Sequence, residues 1–305
     1  LWLIKISNIE KHGMRAYSLT PLGTWIRVTG EDALTFLQGQ FSNDLKDGLK
    51  NTVNTWYSHG LWLDHKGKIL ADSTILKGKN PAEFWIHSTE GKAQALIARL
   101  EGFIIADDVV LEDKTSDYTS FTLIGKETCK LLYDNILSDS YIFKGRRSSE
   151  DSFEVVTPIS NKSPIVEALK VCNQLSDNDL EKLRIEAGIA SVPRDVGSND
   201  LPQELGLSAE GVSVTKGCYV GQEVMARVTS RGRLRRKLVR VVGAGDLPQL
   251  PAPIWDNENH VGEVRSAVKD ESGFVGLAVI AMSALEKTSQ FSLAQSGAAT
   301  VSVRQ

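Results

Sequence analysis

The stretch NTWYSHGLWLDHKGKILADSTIL, residues 54–76, sets two strand-like runs on either side of Asp64-His65-Lys66-Gly67. Residues 54–63 and 68–76 carry the aromatic and aliphatic side chains of strands. The four residues between them place glycine at the last turn position, so the stretch predicts a hairpin. Upstream, 25–29 alternates as a short strand that stops at Gly30. Residues 31–40 change to helical spacing, with Glu31 and Asp32 at the start and Leu34, Phe36 and Leu37 facing inward. Downstream, 84–87 reads as a strand, 91–100 as a helix with Ala93, Leu96, Ile97 and Leu100 on its apolar side, and 109–111 and 121–124 as further strands. Strands and helices interleaved around a hairpin point to an α+β domain rather than a doubly wound parallel sheet.

Residues 138–151 are polar and charged and read as a loop. After a strand over 153–156, a helix is expected over 164–175 with Pro164 in its first turn. Ser176, three residues before Asp179, is an N-terminal capping signal for a helix that carries Leu180, Leu183 and Ala187 and ends near Gly188. Residues 191–211, with Pro193 and Pro202, read as a long irregular loop held by specific contacts, and such loops are commonly functional. Beyond Arg231, short apolar runs over 238–242, 262–268, 274–281 and 298–303 alternate with turn residues, the texture of a small β-barrel or sandwich. A boundary near residue 230 divides an α+β region, 1–230, from this C-terminal part, 231–305.

The 305 residues exceed what one simple core needs and suggest two or three packed units. A hydrophobic fraction of 41% and a charged fraction of 24% are those of a globular protein, and the formal charge of −3 argues against a surface that coats nucleic acid as a whole. The longest apolar runs fall short of the roughly 20 residues of a membrane helix, so no membrane partner is expected. Cys129, Cys172 and Cys218 are odd in number and far apart, which favours a reducing compartment over a disulfide framework. The five histidines have no metal-ligand spacing, and no metal site is expected. The apolar start, Leu1-Trp2-Leu3-Ile4-Lys5, is too short for a signal peptide.

Lys216-Gly217-Cys218-Tyr219-Val220-Gly221-Gln222-Glu223 is the most unusual segment. Two glycines frame a thiol, with a ring beside it and a lysine before it. Glycines permit tight turns and close ligand approach; a lysine and a helix N-terminus next to Cys218 would favour its thiolate. The octapeptide suits a reactive thiol, or a loop cradling an anion or a planar ring. A buried, inert cysteine in a glycine-rich bend is the plainer reading, and from chemistry alone it has more weight.

This octapeptide resembles the signature of the YgfZ family, folate-binding relatives of the glycine-cleavage T-protein. Val28-Thr29-Gly30, Phe36-Leu37-Gln38-Gly39-Gln40 and Asn43-Asp44 look like the family's N-terminal block, and Gly67-Lys68-Ile69-Leu70-Ala71-Asp72 like its glycine hairpin. Arg184-Ile185-Glu186-Ala187-Gly188, followed by Leu201-Pro202-Gln203-Glu204, resembles the block that leads into the signature. The resemblance implies a T-protein-like fold, α+β and multi-lobed, with a ferredoxin-like part near 45–115, a C-terminal β-barrel and a tetrahydrofolate cavity. Glu186 matches the glutamate that hydrogen-bonds the pterin, a task suited to a carboxylate accepting two adjacent N–H bonds. Asp72 matches the aspartate near the reactive nitrogen of folate. Lys216, Gly217, Tyr219 and Gln222 complete the expected cofactor contacts, and Cys218 and Asp72 are the candidate reactive groups. A tryptophan that some relatives carry is replaced here by Leu180. Without the resemblance, Glu186 reads as a solvated or Lys182-paired helix residue, Asp72 as a strand residue facing water, and Gln38 and Gln40 as structural amides. Trp25, Trp56, Trp62 and Trp85 read as core, with stacking of one of them on the pterin as the alternative.

Arg227, Arg231, Arg233, Arg235, Arg236, Lys237 and Arg240 fall within 227–240 without an acidic residue. Such a stripe suits a polyanion, whether a folate polyglutamate tail, an acidic partner or RNA; a solvated, salt-bridged strand is the bland reading. No aromatic residue lies among these charges, which ranks a folate tail or protein partner above direct tRNA contact. The leading expectation is a tetrahydrofolate-binding accessory protein for assembly or repair of iron–sulfur enzymes, including those that thiolate tRNA, rather than an enzyme in the usual sense. Its partners would be folate and iron–sulfur enzymes or their assembly proteins, with tRNA reached indirectly. A folate-dependent aminomethyltransferase of the T-protein type is the alternative, and a tRNA-binding module the second. A bacterial cytoplasm is the expected location, or a mitochondrial matrix if a targeting segment was trimmed away.

Overall fold

The computed structural model describes residues 15–46, 50–52, 55–133, 139–197 and 199–304. Two compact units make up the chain, one drawn from 1–33, 49–57 and 75–183, the other from 34–48, 58–74 and 184–305. Strands Thr55–Leu63 and Ile69–Lys77, the expected hairpin, contribute residues to both. Residue 54, placed in the first strand by its sequence, lies outside the described residues. No helix among the described residues is long and apolar enough to cross a membrane.

In the first unit, strand Thr24–Thr29 pairs antiparallel with Glu83–Ser88 on one side and Val110–Asp113 on the other. Both faces of the strand are covered, and Trp25, Ile26 and Val28 have no exposed surface. Trp25 stacks on Trp85 at 4.9 Å, so both indoles belong to the core. Helix Ala93–Glu101 buries Ala93, Leu96, Ile97 and Leu100, the stripe its spacing dictates. A second sheet orders its strands Asn173–Gln174, Ala16–Thr20, Tyr118–Ile124, Ser152–Pro158 and Tyr141–Lys144.

Local patterning misses three features of this unit. Tyr141–Lys144 is a strand within the segment expected to be a loop, because Tyr141, Ile142 and Phe143 are buried against Ser152–Pro158 despite charged neighbours. The helix expected over 164–175 is Lys162–Ala168, followed by a short 3₁₀ turn and by Asn173–Gln174, which pairs parallel with Ala16–Tyr17. Helix Lys126–Tyr133 gives no distinct sequence signal, yet Cys129 and Leu132 join Phe121, Leu123 and Val155 in one cluster.

Glu154 is buried in this sheet, accepting from Thr122 Oγ1 at 2.9 Å and lying 3.8 Å from Arg147. Burial pushes its carboxyl up to about 7, against the pull of Arg147 and Thr122. The unfolded chain releases this proton near 4.5, while the folded chain keeps it to about 7. The stability contributed by Glu154 is therefore full below 4.5 and lost as pH rises through 7, a fall of about 3 kcal/mol. Urea unfolding of wild type and Glu154→Gln across pH 4–8 checks this, with the Gln variant expected to show the flatter profile.

In the second unit, strands Ala252–Asp256, Asn259–Asp270, Gly273–Ala281, Arg236–Ala244, Val301–Arg304 and Gln290–Phe291 neighbour one another in that order. Trp255 and Ser292 then bridge the two edges with reciprocal backbone hydrogen bonds of 2.9 and 3.0 Å. The sheet is a nearly closed barrel, one of the two forms, barrel or sandwich, that the texture after Arg231 predicts. Ile254, Val264, Phe274, Ala278, Ile280 and Val301 fill its interior.

Candidate functional site

The loop at 191–211 is irregular but fixed. At its start Arg184, almost wholly buried, donates to Asp195 Oδ2 at 2.6 Å and to Ser266 Oγ at 2.8 Å. Asp195 also accepts from the Ser191 main chain at 2.8 Å and from the Ser266 hydroxyl. Further along, Asp200 ion-pairs with Arg265 and, at 3.0 Å, with Arg236, which reaches Glu204 at 2.9 Å as well. Asp195, Asp200 and Glu204 are buried and paired, the condition under which buried charge is tolerated. None of these partners is adjacent in sequence, which explains why the loop reads as unstructured.

This loop supports the signature octapeptide. Tyr219 is buried with Leu61, Leu63 and Ile69 of the hairpin and with Ala190, Val192 and Leu205 of the loop. Gly221 adopts a left-handed backbone, φ +87°, just before helix Gln222–Arg231. A Cβ there would sit 2.7 Å from the Asp64 carbonyl oxygen and 3.3 Å from Gly67 Cα. Gly67, at φ +73°, would in turn drive a Cβ into Met225 and Val224 at 2.8 and 3.0 Å. Two glycine turns far apart in sequence thus meet backbone to backbone, an approach only glycine permits.

Lys216 turns inward. Its ammonium donates to the carbonyls of Gln38, Phe41 and Asn43 at 2.7, 2.6 and 3.0 Å. Gln38 lies in the last turn of helix Ala33–Gln40, so the lysine serves as a C-terminal cap drawn from another segment. All three of its donors are occupied, which makes it an anchor of the loop. Burial lowers its pKa to about 8, opposed by Asp44. Gln38 itself receives from the Leu45 main chain and donates to Asp44, and Gln222 reaches the Lys216 carbonyl at 3.4 Å. Cys218 is exposed, and a Cβ on Gly217 would meet open space.

The two candidate carboxylates belong to the same unit. Asp72 lies on strand Ile69–Lys77 with Oδ2 3.6 Å from His59 Nε2, a neighbour the sequence gives no reason to single out. Glu186 ends helix Asp177–Glu186 with its side chain exposed, while Arg240 Nη1 holds its main-chain carbonyl at 2.8 Å. The helix begins with the expected capping box, Ser176 Oγ and Asp179 exchanging hydrogen bonds. Leu180 is buried with Ala16 and Ile124. Trp62 is buried and donates to Ser73 Oγ at 2.7 Å, so it is core, as expected.

Of the basic stripe, Arg227, Arg233 and Arg235 are exposed, and the side chain of Arg231 lies outside the described residues. Arg236 is committed to Asp200 and Glu204 and so contributes less free charge than its position in the stripe suggests.

Curated relatives align over nearly the whole chain. A protein of Klebsiella pneumoniae named tRNA-modifying protein YgfZ is 25% identical over 297 residues, covering 90% of this chain and 88% of its own. Its namesake in Yersinia pseudotuberculosis is 26% identical over 281 residues, covering 85% and 82%. The chain is similar to these YgfZ proteins over most of its length. No protein-family model matches the chain. Among solved structures, the glycine cleavage system aminomethyltransferase T of Bartonella henselae superimposes with a TM-score of 0.78 over 98% of this chain and 88% of its own, at 19% identity. The chain therefore has the T-protein fold, with a C-terminal barrel.

Proposed function

We propose that the chain is a tetrahydrofolate-binding accessory protein that supports tRNA modification by maintaining iron–sulfur enzymes. The observation that carries this reading is the meeting of the signature octapeptide with the glycine hairpin at Gly221 and Gly67, inside a fold shared with an aminomethyltransferase. The names of the curated relatives support the tRNA side of the reading. The donor chemistry suits a reduced pterin. Glu186 presents an open carboxylate able to accept two N–H bonds from an aminopyrimidine edge, and Asp72 offers a partly open second carboxylate. When bound, the folate supplies one-carbon carrier chemistry. Lys216 acts indirectly, holding the loop that carries Gly217, Tyr219 and Gln222. Cys218 supplies the exposed thiol of that loop, and exchange with a partner disulfide is the reaction open to it.

Titration with tetrahydrofolate by intrinsic tryptophan fluorescence tests the reading. Wild type is expected to bind saturably, and Glu186→Ala to weaken binding about tenfold or more, the effect of losing hydrogen bonds to a charged acceptor. Lys216→Ala should lose binding together with the loop. Cys218→Ser should bind normally yet fail to restore tRNA thiolation in cells lacking the protein. Absence of saturable binding by wild type would remove the folate half of the proposal, and full complementation by Cys218→Ser the role of the thiol.

A further inference from the structure

The hairpin turn and the basic stripe face a common cleft of about 920 Å³, all of whose lining residues belong to the second compact unit. Lys66 and Lys68 come from the turn; Arg227, Arg233, Arg235 and Arg236 come from helix Gln222–Arg231 and the segment after it. Lys68 is held on the Asn199 carbonyl at 2.6 Å, and Arg236 is neutralised by Asp200 and Glu204. Lys66, Arg227, Arg233 and Arg235 are exposed and have no ion pair among the described residues. Leu201, Val224, Val228 and Leu234 supply the apolar part of the lining. Among the described residues the carboxylate lining the cleft is Glu204, and it is already engaged by Arg236.

Four unpaired cations lining one cleft would repel one another unless an anion enters among them. The apolar lining narrows the choice of anion. A γ-glutamyl chain carries a polar amide at every link and no flat face to lay on Leu201, Val224, Val228 and Leu234. A nucleic-acid strand presents its charge on phosphates, which guanidinium forks match bidentately, and rests ribose and base faces on apolar surface. With no aromatic residue in the cleft, contact would be to the backbone and indifferent to sequence.

From this geometry we infer that the cleft lined by Lys66, Arg227, Arg233 and Arg235 binds the phosphate backbone of single-stranded or looped RNA. The inference rests on the proposed role in tRNA modification and names the surface through which the chain reaches RNA directly, ahead of the folate tail that its sequence alone favours. Four phosphate contacts correspond to a slope of about −3 in log K against log salt for a single strand. Anisotropy titration of a fluorescein-labelled oligouridylate should thus show about fifty-fold weaker binding at about 200 mM than at about 50 mM salt. The double variant Arg233→Ala/Arg235→Ala should lower affinity at least about tenfold and flatten the slope by about 1.4. Lys66→Ala, in the hairpin turn, should flatten it by about 0.7. Binding of monoglutamyl tetrahydrofolate to the same variants should be unchanged, which separates this surface from the folate reading. Unaltered RNA affinity in both variants, no RNA binding by wild type, or equally tight binding of oligo-γ-glutamate at matched charge would each overturn the inference.

Discussion

Asp195→Ala is expected to destabilise the protein by about 3–5 kcal/mol, because it strands the guanidinium of Arg184 in the interior without its counter-charge. Arg184 has 1% of its surface exposed and Asp195 none, so water cannot replace the lost partner. The same substitution removes the acceptor for the Ser191 main chain and the Ser266 hydroxyl, which unties the start of the 191–211 loop from the barrel. Urea unfolding should show a lower midpoint with a similar slope. The double variant Arg184→Met/Asp195→Leu discriminates the cause. If buried charge is responsible, removing both partners recovers much of the loss, because a buried pair can be exchanged for apolar groups at small net cost. A double variant no better than Asp195→Ala would show instead that the hydrogen bonds dominate.

The second large effect is expected at Gly221. An alanine there must hold a left-handed backbone, at about 1–2 kcal/mol, and its Cβ would meet a main-chain oxygen at 2.7 Å. A carbonyl in a tight turn cannot rotate away as the tip of a side chain can. The loop and the hairpin must therefore separate, with a combined loss of about 3 kcal/mol and at least tenfold weaker tetrahydrofolate binding. Gly217→Ala provides the comparison within the same octapeptide. A Cβ there meets nothing within 4 Å, so its effect on stability should stay within about 0.5 kcal/mol. If both variants unfold at the same urea concentration as wild type, the contact between the two turns does not hold the loop.

The difference between these glycines shows where sequence reasoning stops. Both stand in one motif, but only Gly221 has a partner close enough to forbid a side chain, and that partner lies in a hairpin more than a hundred residues upstream. The hairpin itself was legible because alternating runs around a glycine-ended turn are a local signal, like the Ser176–Asp179 box and the strand texture of the barrel. Tyr141–Lys144 escaped notice because its burial depends on Ser152–Pro158, not on its own charged flanks. Glu154 gave no sign that it would be buried with a proton to keep.

Lys216 was legible as part of a signature but not in its action. Chain order sets it two residues from Cys218 and suggests an activated thiol; folding brings three carbonyls to its ammonium and makes it an anchor. Likewise, residues 227–240 announce a positive stripe. Only the fold removes Arg236 from it, through Asp200 and Glu204, and adds Lys66 and Lys68 from the hairpin turn.

By itself the sequence determined the α+β class, the hairpin, the barrel and the signature octapeptide, because periodicity, turn chemistry and residue order are carried by neighbours along the chain. The tertiary structure alone decided which charges are paired, which glycines are obligatory and which cations share a cleft. Those properties depend on desolvation and on partners brought within a few ångströms from distant segments, and no local pattern encodes them.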